Sequence, residues 1–289
     1  MGCVLRPIPR RAAEVTVSRP LRFLTSKLRR QMVVPATWLT SDWEAKAREN
    51  PLYAVMTTPE LRGAAPTDFT PQQMEMFFQR GDELFTRHIL PRIADIDTGA
   101  VEPLLVEYGC GMGRILRAAT RAGYRCAGID ISETMLEHCR RLVPQVESLH
   151  LAAPNGGNSL PDASADLVFS YAVLQHIDLL SHYIGALDEM TRVLKPGGVL
   201  AIQVNCEDFN DGDFARSERT ENFETFSRHY KPLKRRPYLK KQNNKWSGVY
   251  IGYERLCDHL HGRGVVVTSR YYHNPAKFRA LWVIGMKQS

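Results

Sequence analysis

From residue 103 to residue 205 the chain alternates short apolar runs with amphipathic stretches. The runs at 104–108, 125–131, 146–151, 167–171 and 199–205 have the length and aliphatic content of buried strands. Between them, 115–122, 132–142 and 180–193 place apolar residues at helical spacing. The last of these carries Leu180, Ile184, Leu187, Met190 and Val193, and Pro196-Gly197-Gly198 is expected to stop it. Upstream, Thr70-Pro71 reads as an N-cap followed by proline at the first helical position. Met74, Phe77, Phe78, Leu84, Phe85 and Ile89 then continue a helical stripe. Downstream, 253–261 reads as a helix, and 265–272 and 280–286 as strands flanking Asn274-Pro275.

Alternation of this kind implies parallel strands with right-handed crossovers. Two strands in succession imply a closing hairpin. The expected fold class is α/β: a doubly wound, mostly parallel seven-stranded sheet with an antiparallel C-terminal hairpin. The expected organisation is a basic N-terminal tail over 1–40, a helical cap over 41–102, and a main domain over 103–289. Residues 206–248 are too long and polar for an ordinary connection and read as an insertion or lid.

Composition changes this picture in two places. The formal net charge is +7. Residues 1–40 hold eight basic residues against Glu14 alone, so the tail accounts for all of it. The tail has three readings: a solvated extension, an Arg-rich targeting segment, or a surface for anionic lipid or nucleic acid. Met1-Gly2-Cys3 fails the myristoylation pattern, because position six is Arg6. The second place is a run within 231–245, with Lys231, Lys234, Arg235, Arg236, Lys240, Lys241 and Lys245. It is either a solvated face or a seat for an acidic acceptor. The six cysteines are scattered, without metal-site spacing, and point to reduced thiols in a cytoplasmic setting. No metal site is expected. No apolar run reaches the roughly 20 residues of a membrane helix.

The chemistry concentrates at Glu107-Tyr108-Gly109-Cys110-Gly111-Met112-Gly113, where three alternate glycines leave a strand and open a helix. Glycines permit a tight turn and close approach of a ligand, and the helix start offers free N–H groups to an anionic group. A dinucleotide loop would place its third glycine at position 114, which is Arg114. Glu107 suits a ligand carrying an ammonium group better than a pyrophosphate. Asp130 ends the second strand, where an acid can hold ribose hydroxyls. Helix capping is the competing role there, and Ser132 is better placed for it.

These pieces resemble the class I S-adenosylmethionine-dependent methyltransferases of the small-molecule group. Residues 165–170, Val173-Leu174-Gln175-His176-Ile177 and Arg192-Val193-Leu194-Lys195-Pro196-Gly197-Gly198 add to the likeness, in the family's order. The resemblance implies S-adenosyl-L-methionine as co-substrate and a small-molecule acceptor, with oxygen the expected acceptor atom. It implies Gly109, Gly111 and Gly113 around the methionine moiety with Glu107 beside it, and Asp130 on the ribose. It further implies Ile131 and Met135 on the adenine, and Ser170 and Tyr171 facing cofactor and acceptor. Asn155 stands where the family often has an acid near adenine. His176 is either a general base or a structural histidine; His229, Tyr230 and Tyr253 are alternatives. Asn50-Pro51-Leu52-Tyr53 lies upstream of the loop and lacks the second proline of a nucleobase-methylating tetrad. An RNA methyltransferase and a non-catalytic binding protein are the competing functions.

Overall fold

A computed structural model describes residues 37–63, 67–93, 101–177, 179–205, 249, 251–273 and 280–289. The basic tail up to residue 36 and the whole 206–248 insertion, with its lysines and arginines, His229 and Tyr230, lie outside the described residues.

Five strands run parallel: β1 (Leu104–Tyr108), β2 (Arg125–Asp130), β3 (Ser148–Leu151), β4 (Ala165–Ser170) and β5 (Leu194–Asn205). Two more, β6 (Val265–His273) and β7 (Ala280–Lys287), pair antiparallel. The order across the sheet is β3-β2-β1-β4-β5-β7-β6. β7 therefore enters between β5 and β6, and β6 forms the edge. The chain winds outward from β1 to β3, then returns to the other side of β1 as β4. That reversal is the switch point at which doubly wound sheets open a crevice. Every residue of β4 is buried, as expected of a strand covered on both faces.

The helices are α1 (Thr37–Glu49), α2 (Pro51–Val55), α3 (Pro71–Leu84), α4 (Leu90–Ile93), α5 (Arg114–Arg121), α6 (Glu133–Leu142), α7 (Leu180–Val193) and α8 (Tyr253–Gly262). Thr70 starts α3 with a reciprocal capping box to Gln73, and a π-helical turn over Phe85–Ile89 links α3 to α4. The helix stop after α7 differs from expectation. The helix ends at Val193, and Pro196-Gly197-Gly198 is a bulge inside β5, with Leu194 already paired to Ala165. Lys287 of β7 donates to the carbonyls of Thr191 and Leu194 at 2.7 and 2.8 Å, meeting acceptors the helix end leaves open.

The described residues form one compact unit. Ala47, Leu52, Met56, Leu61, Phe77 and Phe78 share a core cluster with Met112, Met135 and Val143, so the N-terminal helices pack directly on the main sheet's helices. Asn50 caps α2 through the Tyr53 amide and donates to the carbonyls of Leu61 and Arg62. The Asn50–Tyr53 tetrapeptide thus ends one helix and starts another. Glu44 of α1 accepts hydrogen bonds from the hydroxyls of Ser132 and Thr134 at the start of α6. Burial works against its charge, but these bonds and Arg48 prevail and lower its pKa to about 2.

α3 crosses α5 at close range. A Cβ added at Gly81 would sit 2.1 Å from the Arg114 carbonyl oxygen. Gly81→Ala gains helix propensity but meets backbone, and overpacking costs roughly 1–3 kcal/mol. Gly262, in α8, has nothing within 4 Å of an added Cβ. Chemical denaturation is expected to show Gly81→Ala destabilised and Gly262→Ala neutral or stabilised, by up to about 1 kcal/mol. Equal behaviour of the two would refute the tight crossing.

Candidate active site

A cavity of about 880 Å³ opens at the C-terminal ends of the parallel strands. Each of the five contributes: Glu107–Gly111 after β1, Asp130 and Ile131 after β2, Ala152–Pro154 after β3, Tyr171–Val173 after β4, and Gln203 with Asn205 on β5. Trp43, residues 54–58 and one face of α3 supply the remaining wall.

The glycine loop is held by main-chain geometry and two acids. Gly109, Gly111 and Gly113 have φ of 82°, 52° and 80°, a region that side chains rarely adopt. A Cβ at Gly109 would lie 2.2 Å from Val173 Cγ2. Gly111 donates its amide to Asp130 Oδ2 at 2.7 Å, and Ser132 donates its amide to Oδ1 at 2.9 Å. Burial raises the Asp130 pKa, and these backbone bonds counter it. Ser132 caps α6 by accepting from the Met135 amide, which leaves Asp130 free of that task.

Glu107 is 3% exposed, and its Oε2 has no hydrogen-bond partner. Burial raises its pKa well above the ordinary carboxylate value, against the pull of Arg114 and a hydrogen bond from the Leu116 amide. Leu116 is the third residue of α5, whose cap residue, Gly113, has no side chain. Glu107 therefore supplies the acceptor that an Asp or Ser cap would otherwise give.

At the end of β4, Ser170 is fully buried and donates to the Tyr108 carbonyl at 2.9 Å, knitting β4 to β1. Tyr171 lines the cavity and stacks on Trp282, with centroids 5.8 Å apart. Ala172 takes φ 57°, rare for a residue with a Cβ, and its amide donates to Gln203 Oε1. His176 follows on a short 3₁₀ turn. It contacts Trp43 edge-on at 5.4 Å, and Gln175 Nε2 approaches its Nε2 at 3.2 Å. Burial, with the nearby charge of Lys46, lowers its pKa to about 4.

The cavity thus brings together Glu107, Gly109, Gly111, Asp130, Ile131, Met135, Tyr171 and His176. Gly113 and Ser170 stand behind the wall as supports. Asn155 is not among the lining residues: its Oδ1 accepts from the Gly157 amide, and its carbonyl packs against Gly185 of α7. Its neighbours Ala152, Ala153 and Pro154 hold that part of the wall instead. Tyr253 begins α8, under Arg270 at 4.0 Å, away from the cavity lining. Trp43, Arg80, Arg87, His88 and Arg114 were not foreseen as wall residues. The polar face of α3 has helical spacing, but nothing in that spacing distinguishes a cavity wall from a solvent face.

Residues 106–202 match the family described as a methyltransferase domain. Trans-aconitate 2-methyltransferase of Azoarcus sp. is 36% identical over 120 residues, covering 41% of this chain and 44% of the relative. Malonyl-[acyl-carrier protein] O-methyltransferase of Enterobacter lignolyticus is 34% identical over 104 residues, covering 36% and 39%. The chain spans less than half the length of these relatives. Among solved structures, magnesium protoporphyrin IX methyltransferase from Synechocystis PCC 6803, with bound S-adenosylmethionine, covers 86% of this chain and 97% of its own. Its TM-score is 0.52 at 10% identity, a likeness of fold alone. Among the described residues no helix is long and apolar enough to cross a membrane. With its seven-stranded sheet and its glycine loop, the 106–202 stretch is similar to the methyltransferase domain family, and the chain's fold is that of S-adenosylmethionine-dependent methyltransferases.

Proposed function

We propose that this chain transfers a methyl group from S-adenosylmethionine to an oxygen of a small-molecule acceptor held in the cavity. The observation that carries the reading is the joint placement of Glu107, the glycine loop and Asp130 on one wall of a cavity at the sheet's switch point. Oxygen is named as the acceptor atom of the malonyl-[acyl-carrier protein] relative.

The residues fit the co-substrate. The glycine loop takes left-handed backbone and presents no side chain of its own at Gly109 and Gly111, both of which line the cavity, and Glu107 keeps one unmet acceptor in a buried setting. Gly109 and Gly111 would border the methionine portion, Glu107 its ammonium, Asp130 the ribose, and Ile131 with Met135 the adenine. The bound co-substrate supplies an activated methyl group on a positively charged sulfur. The chain's contribution is alignment: a near-attack pose supplies much of the rate in displacements of this kind. Tyr171 and the strained Ala172 fix the wall facing that methyl, and Trp43 and Val55 cover the cavity from the N-terminal side.

His176 is suited to holding its loop rather than taking a proton. A base whose conjugate acid has a pKa of about 4 is poorly matched to neutral pH. It stays neutral and braces Trp43. His176→Asn is expected to lower turnover without altering the shape of the pH–rate profile between about pH 6 and 9. Loss of an acidic limb in that range would restore the general-base role.

Titration calorimetry with S-adenosylhomocysteine tests the main reading. Saturable binding is expected, weakened at least about tenfold in Asp130→Ala by loss of a charged hydrogen-bond acceptor. No binding by folded protein would overturn the assignment. The acid Glu107 adds a signature. In the free protein burial favours its protonated form, and an ammonium beside it would favour the carboxylate. Binding should therefore release a proton, and affinity should rise with pH up to the raised pKa of the free protein. Binding heats should depend on buffer ionisation enthalpy in the wild type and lose this dependence in Glu107→Gln. A pH-independent affinity in the wild type would remove Glu107 from the ammonium site.

A further inference from the structure

The cavity has a second wall of opposite character. Arg80, Glu83, Leu84, Arg87 and His88 of α3 and its π-helical turn all line it. Their spacing places them on one helical stripe. The other side of the same helix buries Phe77, Phe78, Phe85 and Ile89. Arg114, from the first turn of α5, joins the wall. It is only 9% exposed, and its Nε has no hydrogen-bond partner. A buried guanidinium with an unmet donor is costly unless something supplies an acceptor.

Among the described residues, neither nearby acid supplies an acceptor to the Arg114 Nε. Glu83 pairs with Arg80 at 2.7 Å, on the solvent-accessible side of the stripe. Glu107 attracts Arg114 from the glycine loop, but burial favours its neutral form. Arg80 repels Arg114 across the wall. Like charges crowded toward a cavity are the arrangement of an anion seat.

Resting on the methyl-transfer reading, we propose that this wall seats a carboxylate of the methyl acceptor, with Arg114 and Arg87 as its principal partners and Arg80 in support. The acceptor is then a small organic acid. The planar guanidinium fork suits both carboxylate and phosphate. Glu83 on the same stripe lowers the wall's net charge and disfavours a dianion, so carboxylate is the better match. The cavity gains a polarity: acids at the glycine loop for the co-substrate's cationic end, bases at α3 for the acceptor's anionic end.

Ligand-observed NMR on the full chain, with and without S-adenosylhomocysteine, tests this. The probes are the monocarboxylates benzoate, butyrate and lactate, with benzamide and inorganic phosphate as comparisons. At least one carboxylate is expected to bind while benzamide does not. Its affinity should fall about tenfold or more in Arg87→Gln and Arg114→Gln, as for loss of a charge-assisted hydrogen bond. S-adenosylhomocysteine binding in Arg87→Gln should be unaltered, showing the fold intact. Carboxylate binding that the variants leave unchanged would overturn the proposal, as would preference for phosphate. Binding of S-adenosylhomocysteine with no carboxylate binding overturns the acid seat and spares methyl transfer. Carboxylate binding by a chain that ignores S-adenosylhomocysteine supports the seat and sinks methyl transfer.

Discussion

The hydrogen bond from the Gly111 amide to Asp130 holds the end of β1 to the end of β2 across the site. It has few substitutes. The loop around it takes left-handed backbone at Gly109, Gly111 and Gly113, so no regular ladder can hold it. The Ile129 carbonyl takes the Gly109 and Cys110 amides at 2.7 and 3.0 Å, and Asp130 takes the next free donor. The same carboxylate accepts from Ser132 and so fixes the approach to α6. One half-buried acid thereby sets the position of the loop and the direction of the following helix, and lines the cavity.

Glu107 does comparable work from the other side. Its carboxyl meets an amide in the first turn of α5 and leaves one oxygen unmet. A buried carboxyl of this kind costs stability when charged and little when neutral. Burial thus favours the neutral carboxyl, and a cationic group placed beside it would favour the charged form. The cost is tolerable because the helix start lacks a side-chain cap at Gly113 and gains one from Glu107.

Strand placement was legible because parallel strands are buried on both faces, so their apolar runs are nearly continuous. β1 falls where the pattern put it, and β4 begins two residues before its expected start. The start of β5 was not legible, because Pro196-Gly197-Gly198 signals a helix stop and a strand bulge in the same residues. Asn155 shows another limit. Its position after β3 suggested an adenine contact, but the turn closes on α7, and local sequence does not report that packing. The α3 stripe shows a third. A polar helical face reads as a solvent face until a tertiary structure places a cavity beside it, so Arg80 and Arg87 carried no site signal of their own. Arg114 was noticed only for displacing a glycine.

That displacement links the two walls. Position 114 is the first residue of α5, where a dinucleotide loop would need a glycine. An arginine there is covered by α3, and this is feasible because Gly81 lets the helices meet at the Arg114 backbone. The crossing holds the guanidinium near the Phe77 ring, 5.9 Å from its centroid, while the rest of the stripe turns toward the same cavity. Arg117, one turn further along α5, sits 3.9 Å over Phe78 and pairs with Asp82, locking the crossing angle. The helix that opens from the glycine loop therefore carries one arginine of the basic wall, Arg114, on its own first turn. The glycine loop and Arg114 are therefore fixed to each other through consecutive residues, and the close crossing at Gly81 fixes where Arg80 and Arg87 of the neighbouring helix and its π-helical turn stand relative to both.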